Sequence, residues 1–171
     1  MRATGTTGAR QNGGLNSLGE VACRYRAGEI PPEDLPMIAA EALAAGLDAP
    51  TLCELAGWPR TADPRDIREA FEQALCECGI ALPDPAVARR HGLRRLAARF
   101  VAGELTTADL ATDDWWETEA ETAEECAFVA LIPQCACCVA YTLGLDERQW
   151  DAELRVAAAA LASASPLAPG C

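Results

Sequence analysis

The sequence predicts an all-α fold, a compact bundle of roughly seven to nine helices, several of them short. Three observations carry this. Apolar residues recur with helical spacing in segments that open on Asp, Ser or Pro and mostly close on Gly. Alanine, the strongest helix former, occurs 36 times in 171 residues and biases nearly every segment towards helix. No stretch alternates apolar and polar residues with the period of two that a half-buried strand requires.

The elements follow in chain order. Residues 1–14 are polar and Gly-rich without periodicity, and are expected to form a disordered tail. Ser17-Leu18-Gly19-Glu20 has the spacing of a capping box and predicts a short helix through Arg26, ended by Gly28. Pro31-Pro32-Glu33-Asp34 suits a helix start, with acids at the positive end of the dipole; Leu35, Ile38, Ala39, Ala42 and Leu43 supply the apolar face, and Gly46 the stop. Asp48 is positioned to cap a short helix carrying Leu52, Leu55 and Ala56, broken by Gly57-Trp58-Pro59.

Asp63-Pro64 opens the cleanest amphipathic helix, with Ile67, Ala70, Phe71, Ala74, Leu75 and Cys78 on one face and Gly79 at its end. Asp84-Pro85 starts a central helix with Leu93, Leu96, Ala97, Phe100 and Val101 on its apolar face, ending at Gly103. Thr107 or Asp109 begins a short turn. Asp113 is expected to cap a long helix from Asp114 to about Leu131, with Pro133 separating a further piece that runs to Gly144. Asp146 caps a last helix through about Ala162, and residues 166–171 form a flexible tail.

A chain of this length suits one domain, here 15–165, or two similar halves, 15–82 and 83–165. A weak internal repeat leaves both open, since shared capping grammar accounts for it about as well as duplication does. Arg26-Ala27-Gly28-Glu29-Ile30 precedes Asp34-Leu35, and Ala102-Gly103-Glu104-Leu105 precedes Asp109-Leu110, at a constant offset of 75 residues.

Composition narrows the function classes. Apolar residues at 50% and charged residues at 23% exclude a disordered, collagen-like or rod-like chain. All 14 basic residues are Arg, against 26 acids, for a net charge of −12. Arg in place of Lys, with abundant Ala, resembles the products of GC-rich actinobacterial genomes. An acidic chain is repelled by phosphate backbones and anionic lipid, which argues against nucleic-acid and membrane partners, and its natural complement is a basic protein. Nine cysteines fall below the density of a disulfide scaffold. The first residues lack the apolar run of a secretory signal, so the expectation is a cytoplasmic protein with reduced thiols.

Charge is the most informative pattern. Arg89, Arg90, Arg94, Arg95 and Arg99 crowd one helix and are expected on its outer face. From Phe100 to Glu147 there is no basic residue, and nine acids lie between Glu104 and Glu125. Glu117, Glu121 and Glu125, spaced i, i+4, i+8, would stripe one face of the long helix. Asp113, Asp114, Trp115, Trp116, Glu117, Glu121 and Glu125 are therefore the candidate partner-binding residues, an acidic surface with a Trp anchor.

Two other chemistries compete. Cys135 and Cys138 have C-x-x-C spacing, with Cys137 between them, and Cys76 and Cys78 could add ligands to a zinc or copper(I) thiolate site, or to a redox site. The stretch from Cys126 to Leu145 has no charged residue, but Pro133-Gln134 near its middle and acids at both ends argue for two short buried helices over a membrane span. Asp113-Asp114-Trp115-Trp116-Glu117 resembles the Asp-Asp-x-x-Asp/Glu magnesium motif of all-α terpene synthases, which implies a small carboxylate–metal enzyme with Asp113 and Glu117 as ligands. The second metal motif of that family is absent and the chain is much too short for its fold. Glu69-x-x-Glu72 and Glu121-x-x-Glu124 resemble half of the nucleotide pyrophosphohydrolase carboxylate set, but no matching second pair follows. The single histidine, His91, excludes a di-iron site built on two Glu-x-x-His motifs.

Phe100-Val101-Ala102-Gly103-Glu104-Leu105-Thr106 through Asp109-Leu110 resembles the opening of small helical proteins of the colicin-immunity-like type. Ala40-Glu41-Ala42-Leu43 through Ala56-Gly57 resembles uncharacterised actinobacterial helical proteins. The resemblance implies a compact acidic protein, without enzymatic activity, that binds and neutralises a basic toxin. It carries over no catalytic residue, and the cysteine load of this chain departs from it.

Overall fold

Seven α-helices and three short 3-10 turns make up the regular structure of the described residues, which contain no strand. The computed structural model describes residues 7–111, 114–132 and 144–164. The helices are α1 (Thr7–Arg26), α2 (Leu35–Ala44), α3 (Pro50–Ala56), α4 (Pro64–Glu77), α5 (Pro85–Val101), α6 (Ala123–Val129) and α7 (Glu147–Ser163). The chain divides into two compact units between Ala88 and Arg89.

In the first unit, α1 to α4 close around Leu18, Ala22, Leu35, Ala39, Leu52, Leu55, Ile67, Phe71, Ala74 and Leu75, all nearly or wholly buried. These are the apolar positions that the helical spacing picks out. The second unit packs Leu93, Ala97 and Phe100 of α5 with Leu110, Trp115, Phe128, Trp150, Leu154, Ala158 and Leu161. Trp150 also donates its indole N–H to the carbonyl of Leu131 at 2.8 Å, so a buried polar atom is satisfied where α7 meets the end of α6.

Three boundaries differ from expectation. Helix α1 begins at Thr7, so residues 7–14 are helical and Ser17 lies inside the helix instead of capping it. Once Leu15, Leu18, Val21 and Ala22 pack on the core, each further residue towards the N-terminus adds a hydrogen bond without a new nucleation cost. Asp48 does not cap α3; extended Ala49 precedes Pro50 at the first helical position, where a missing N–H costs nothing. The long helix expected from Asp114 is broken. A 3-10 turn covers Asp114–Glu117, and α6 starts only at Ala123, behind a capping box in which Thr122 accepts from the Glu125 N–H. The expected acidic stripe of Glu117, Glu121 and Glu125 therefore does not exist, because residues 118–122 are not helical. Asp113, its expected cap, and the piece after Pro133 lie outside the described residues.

The internal repeat is visible in both units. Helices α1 and α5 end in the same way. Glu29 N–H bonds the Arg24 carbonyl and Gly28 N–H that of Tyr25; Glu104 N–H bonds Arg99 and Gly103 N–H bonds Phe100, all at 3.0 Å. Arg24 pairs with Glu29 at 3.6 Å, and Arg99 with Glu104 at 3.2 Å. Asp34 and Asp109 each close a turn on the carbonyl three residues earlier, and the Leu35 and Leu110 that follow are fully buried. At the same 75-residue offset, buried Leu18 and Ala22 match buried Leu93 and Ala97.

Gly46 closes α2 at φ +93° with the same pair of bonds, Gly46 N–H to the Leu43 carbonyl and Leu47 N–H to the Ala42 carbonyl. A Cβ there would meet nothing within 4 Å, so a side chain would suffer only from the left-handed backbone. Gly46→Ala is therefore expected to cost about 1 kcal/mol, read as a lower urea midpoint at an unchanged slope. Gly46→Asn should cost less, since Asn tolerates this conformation; an unshifted midpoint in the Ala variant would contradict the argument.

Candidate functional site

The candidate site is built in the second unit by α5, the 115–122 segment and the first turn of α6. Arg90 and Arg94 stand one helical turn apart on α5, on the same side as Leu93 and Ala97. This face is apolar otherwise, so it packs inward and takes both arginines with it. Arg90 is only 6% exposed, and the Arg94 side chain is mostly buried. The expectation that both lie on an outer solvated face is thus corrected: burial of Leu93 and Ala97 leaves them no route to solvent on that side.

Their counter-charge is Glu125, whose side chain is fully buried. Arg90 Nε donates to Oε2 at 2.8 Å, and Arg94 Nη2 donates to Oε1 at 3.3 Å. The backbone N–H groups of Glu121 and Thr122 add donors to Oε2 at 3.0 and 3.2 Å. Burial opposes the charged form of Glu125, but the Arg90 hydrogen bond, the two backbone donors and the Arg90 charge outweigh it and hold the carboxyl below its ordinary value. Arg90 also donates to Glu121, whose side chain remains exposed. Burial alone would lower the Arg90 pKa, yet its bonds and charge interactions with Glu125 and Glu121 raise it, so the guanidinium stays charged.

Trp115 is a core residue, 5% exposed. The Arg89 guanidinium stacks over its ring at 4.8 Å, and Arg89 Nε donates to the buried Thr118 hydroxyl at 3.3 Å. Neither Trp115 nor Glu125 is therefore presented to a partner, contrary to the sequence expectation; one is spent on the core and the other on internal arginines. Trp116 is half-buried against the same core. Glu117 and Glu119 are exposed and make no ion pair among the described residues. Asp113 lies outside the described residues, and Asp114 begins the 3-10 turn. The structure thus brings Glu121 and Glu125 together on Arg90 and leaves Glu117 and Glu119 facing solvent.

The cysteine candidates separate differently. Cys76 and Cys78 lie at the end of α4 as free thiols, the first exposed and the second half-buried. Burial and the neighbouring Glu77 push the Cys78 thiol up, away from the thiolate that a metal or redox role needs. No group of three His, Cys, Asp or Glu side chains able to hold a metal is assembled among the described residues. Cys135, Cys137 and Cys138 lie outside them. Cys23, fully buried in α1, is disulfide-bonded, so the expectation of uniformly reduced thiols fails at this residue. Among the described residues, no helix is long and apolar enough to cross a membrane.

Sequence reasoning missed the Glu125 cluster, although two signals for it were present. Thr122-x-x-Glu125 is a capping box, and Arg90 and Arg94 share the helical register of Leu93 and Ala97. No family model, curated protein or solved structure matches this chain.

The cluster has a definite pH signature. The Glu125 carboxyl is held below its ordinary 4.5, so its stabilisation is complete above that value and is lost as pH falls through the depressed folded value. Glu125→Gln should leave the Arg90 charge buried and poorly matched. It should cost roughly 3–5 kcal/mol at neutral pH and flatten the acid limb of a stability–pH curve. Thermal melts of both proteins across the acid range test this; parallel acid limbs would rule the coupling out.

Proposed function

We propose that the protein is a non-enzymatic interaction module, immunity-like in the sense its resemblance implies, that binds a basic protein through the exposed acids of the 104–125 segment around Trp116. The observation that carries this reading is the pair Glu117 and Glu119, exposed and without an ion pair among the described residues. They stand in a stretch, Phe100 to Glu147, that contains no basic residue of its own. Glu121 adds a carboxylate that stays two-thirds exposed even while it contacts Arg90. Unscreened like charge of this kind costs free energy in the isolated protein, and a cationic partner removes that cost while steering its own approach.

Trp116 supports the same reading. It is packed on the core on one side and partly open on the other, the arrangement of a rigid aromatic anchor beside a polar rim. The buried Glu125 cluster holds the segment that carries these residues, so a partner would meet a pre-formed surface with little ordering cost.

Native mass spectrometry of the protein purified gently from its host should show a basic chain bound at fixed stoichiometry. The complex should weaken steeply as salt rises. Glu117→Arg with Glu119→Arg should abolish it, with the melting temperature nearly unchanged because neither side chain is buried. Undiminished capture by the doubly reversed variant would overturn the proposal.

A further inference from the structure

The first unit holds a cleft of about 260 Å³ whose chemistry is opposite to the acidic character of the chain. Its walls are Tyr25 and Arg26 at the end of α1, the connection through Gly28, Ile30, Pro31 and Pro32, and Arg68 of α4. We propose that this cleft is a binding site for a small oxyanion, a carboxylate or phosphate group on a compact apolar body, held between the Arg26 and Arg68 guanidiniums. It is independent of the acidic surface, which belongs to the second unit.

Charge gives the first argument. The chain has 26 acids for 14 arginines, and among the described residues Arg24, Arg60, Arg90, Arg94, Arg99 and Arg155 each pair with a carboxylate. Among the described residues, Arg26, Arg65, Arg68 and Arg148 make no ion pair, and two of these four line the one cleft. Glu72, one turn further along α4, makes no ion pair with Arg68 and accepts from the Tyr25 hydroxyl at 2.8 Å. Burial, then the hydrogen bond to Glu72, pushes the Tyr25 phenol up to about 12, so it adds no negative charge beside the arginines.

The internal repeat gives the second. The duties that the end of α1 requires of a cation are met by Arg24 with Glu29, just as Arg99 with Glu104 meets them at the end of α5. The glycine and the Asp-Leu turn are likewise shared. Several cleft-lining positions differ between the repeats: Tyr25, Arg26, Pro31 and Pro32 correspond to Phe100, Val101, Thr106 and Thr107. Val101 is exposed, so the fold itself asks for no cation at the position of Arg26.

Pre-organisation is the third. Tyr25 is locked edge-on against Phe71 at 5.1 Å, Gly28 is held at φ +82° by its own N–H bond to Tyr25 and that of Glu29 to Arg24, and the two prolines stiffen the floor. Ile30 and the proline rings offer apolar contact beside the charges, the usual mixture of a small-ligand pocket.

Titration of the full chain with inorganic phosphate and, separately, with benzoate, at fixed ionic strength, tests the site. The readout is NMR shifts of the Gly28 amide and the arginine Nε–H groups. Saturable millimolar binding of at least one probe is expected, weakened about tenfold or more by Arg26→Gln or Arg68→Gln and unchanged by Arg65→Gln on the same helix. Phosphate binding alone would assign a phosphorylated ligand; benzoate alone would assign a carboxylate with an apolar body. Absence of saturation with both probes, or equal weakening by Arg65→Gln, would overturn the proposal.

Discussion

The second unit depends on one buried carboxylate. Glu125 is fully enclosed, and an ion in that position is tolerable only when charge and hydrogen bonds replace the water it has lost. Arg90, Arg94 and the N–H groups of residues 121 and 122 do so together. The consequences reach outward. Helix α6 can start only where Thr122 and Glu125 close their box, and the chain before it must turn so that residues 121 and 122 aim their N–H groups at one oxygen. A single continuous helix from Asp114 is incompatible with that demand.

This constraint sorts the acids of the 104–125 segment by role. Glu125 is structural, Glu121 is shared between Arg90 and solvent, and Glu117 and Glu119 are left to solvent. Net charge therefore overstates what is available to a partner, since part of it is already neutralised inside the fold. Trp115 and Trp116 divide in the same way, one in the core under Arg89 and one at its edge.

The two units show what the 75-residue offset preserves. Helix end, glycine, Arg–Glu pair, Asp turn and buried Leu recur together, because each secures the next: the glycine reverses the chain, the ion pair ties the reversal to the helix, and the leucine anchors the following segment. The residues between these fixed points are free to differ, and in the first unit they place Arg26 at a cleft that Arg68 of α4 also lines.

The sequence by itself determined most of the helices and several of their ends. Asp63, Asp146, Gly28, Gly46, Gly79 and Gly103 act where their capping chemistry requires, because a cap is a contact between residues a few positions apart. It also determined most of the core, since Ile67, Phe71, Ala74 and Leu75 must share a face of any helix that contains them. Tertiary structure alone decided which charges face inward. Arg90 and Glu125 are 35 residues apart, and no local pattern states that they meet. Their pairing fixed the break before α6, removed Trp115 and Glu125 from the surface, and left Glu117 and Glu119 exposed. Local grammar names the elements, whereas the fate of a charged side chain depends on the dielectric and the counter-charge that only the packed chain provides.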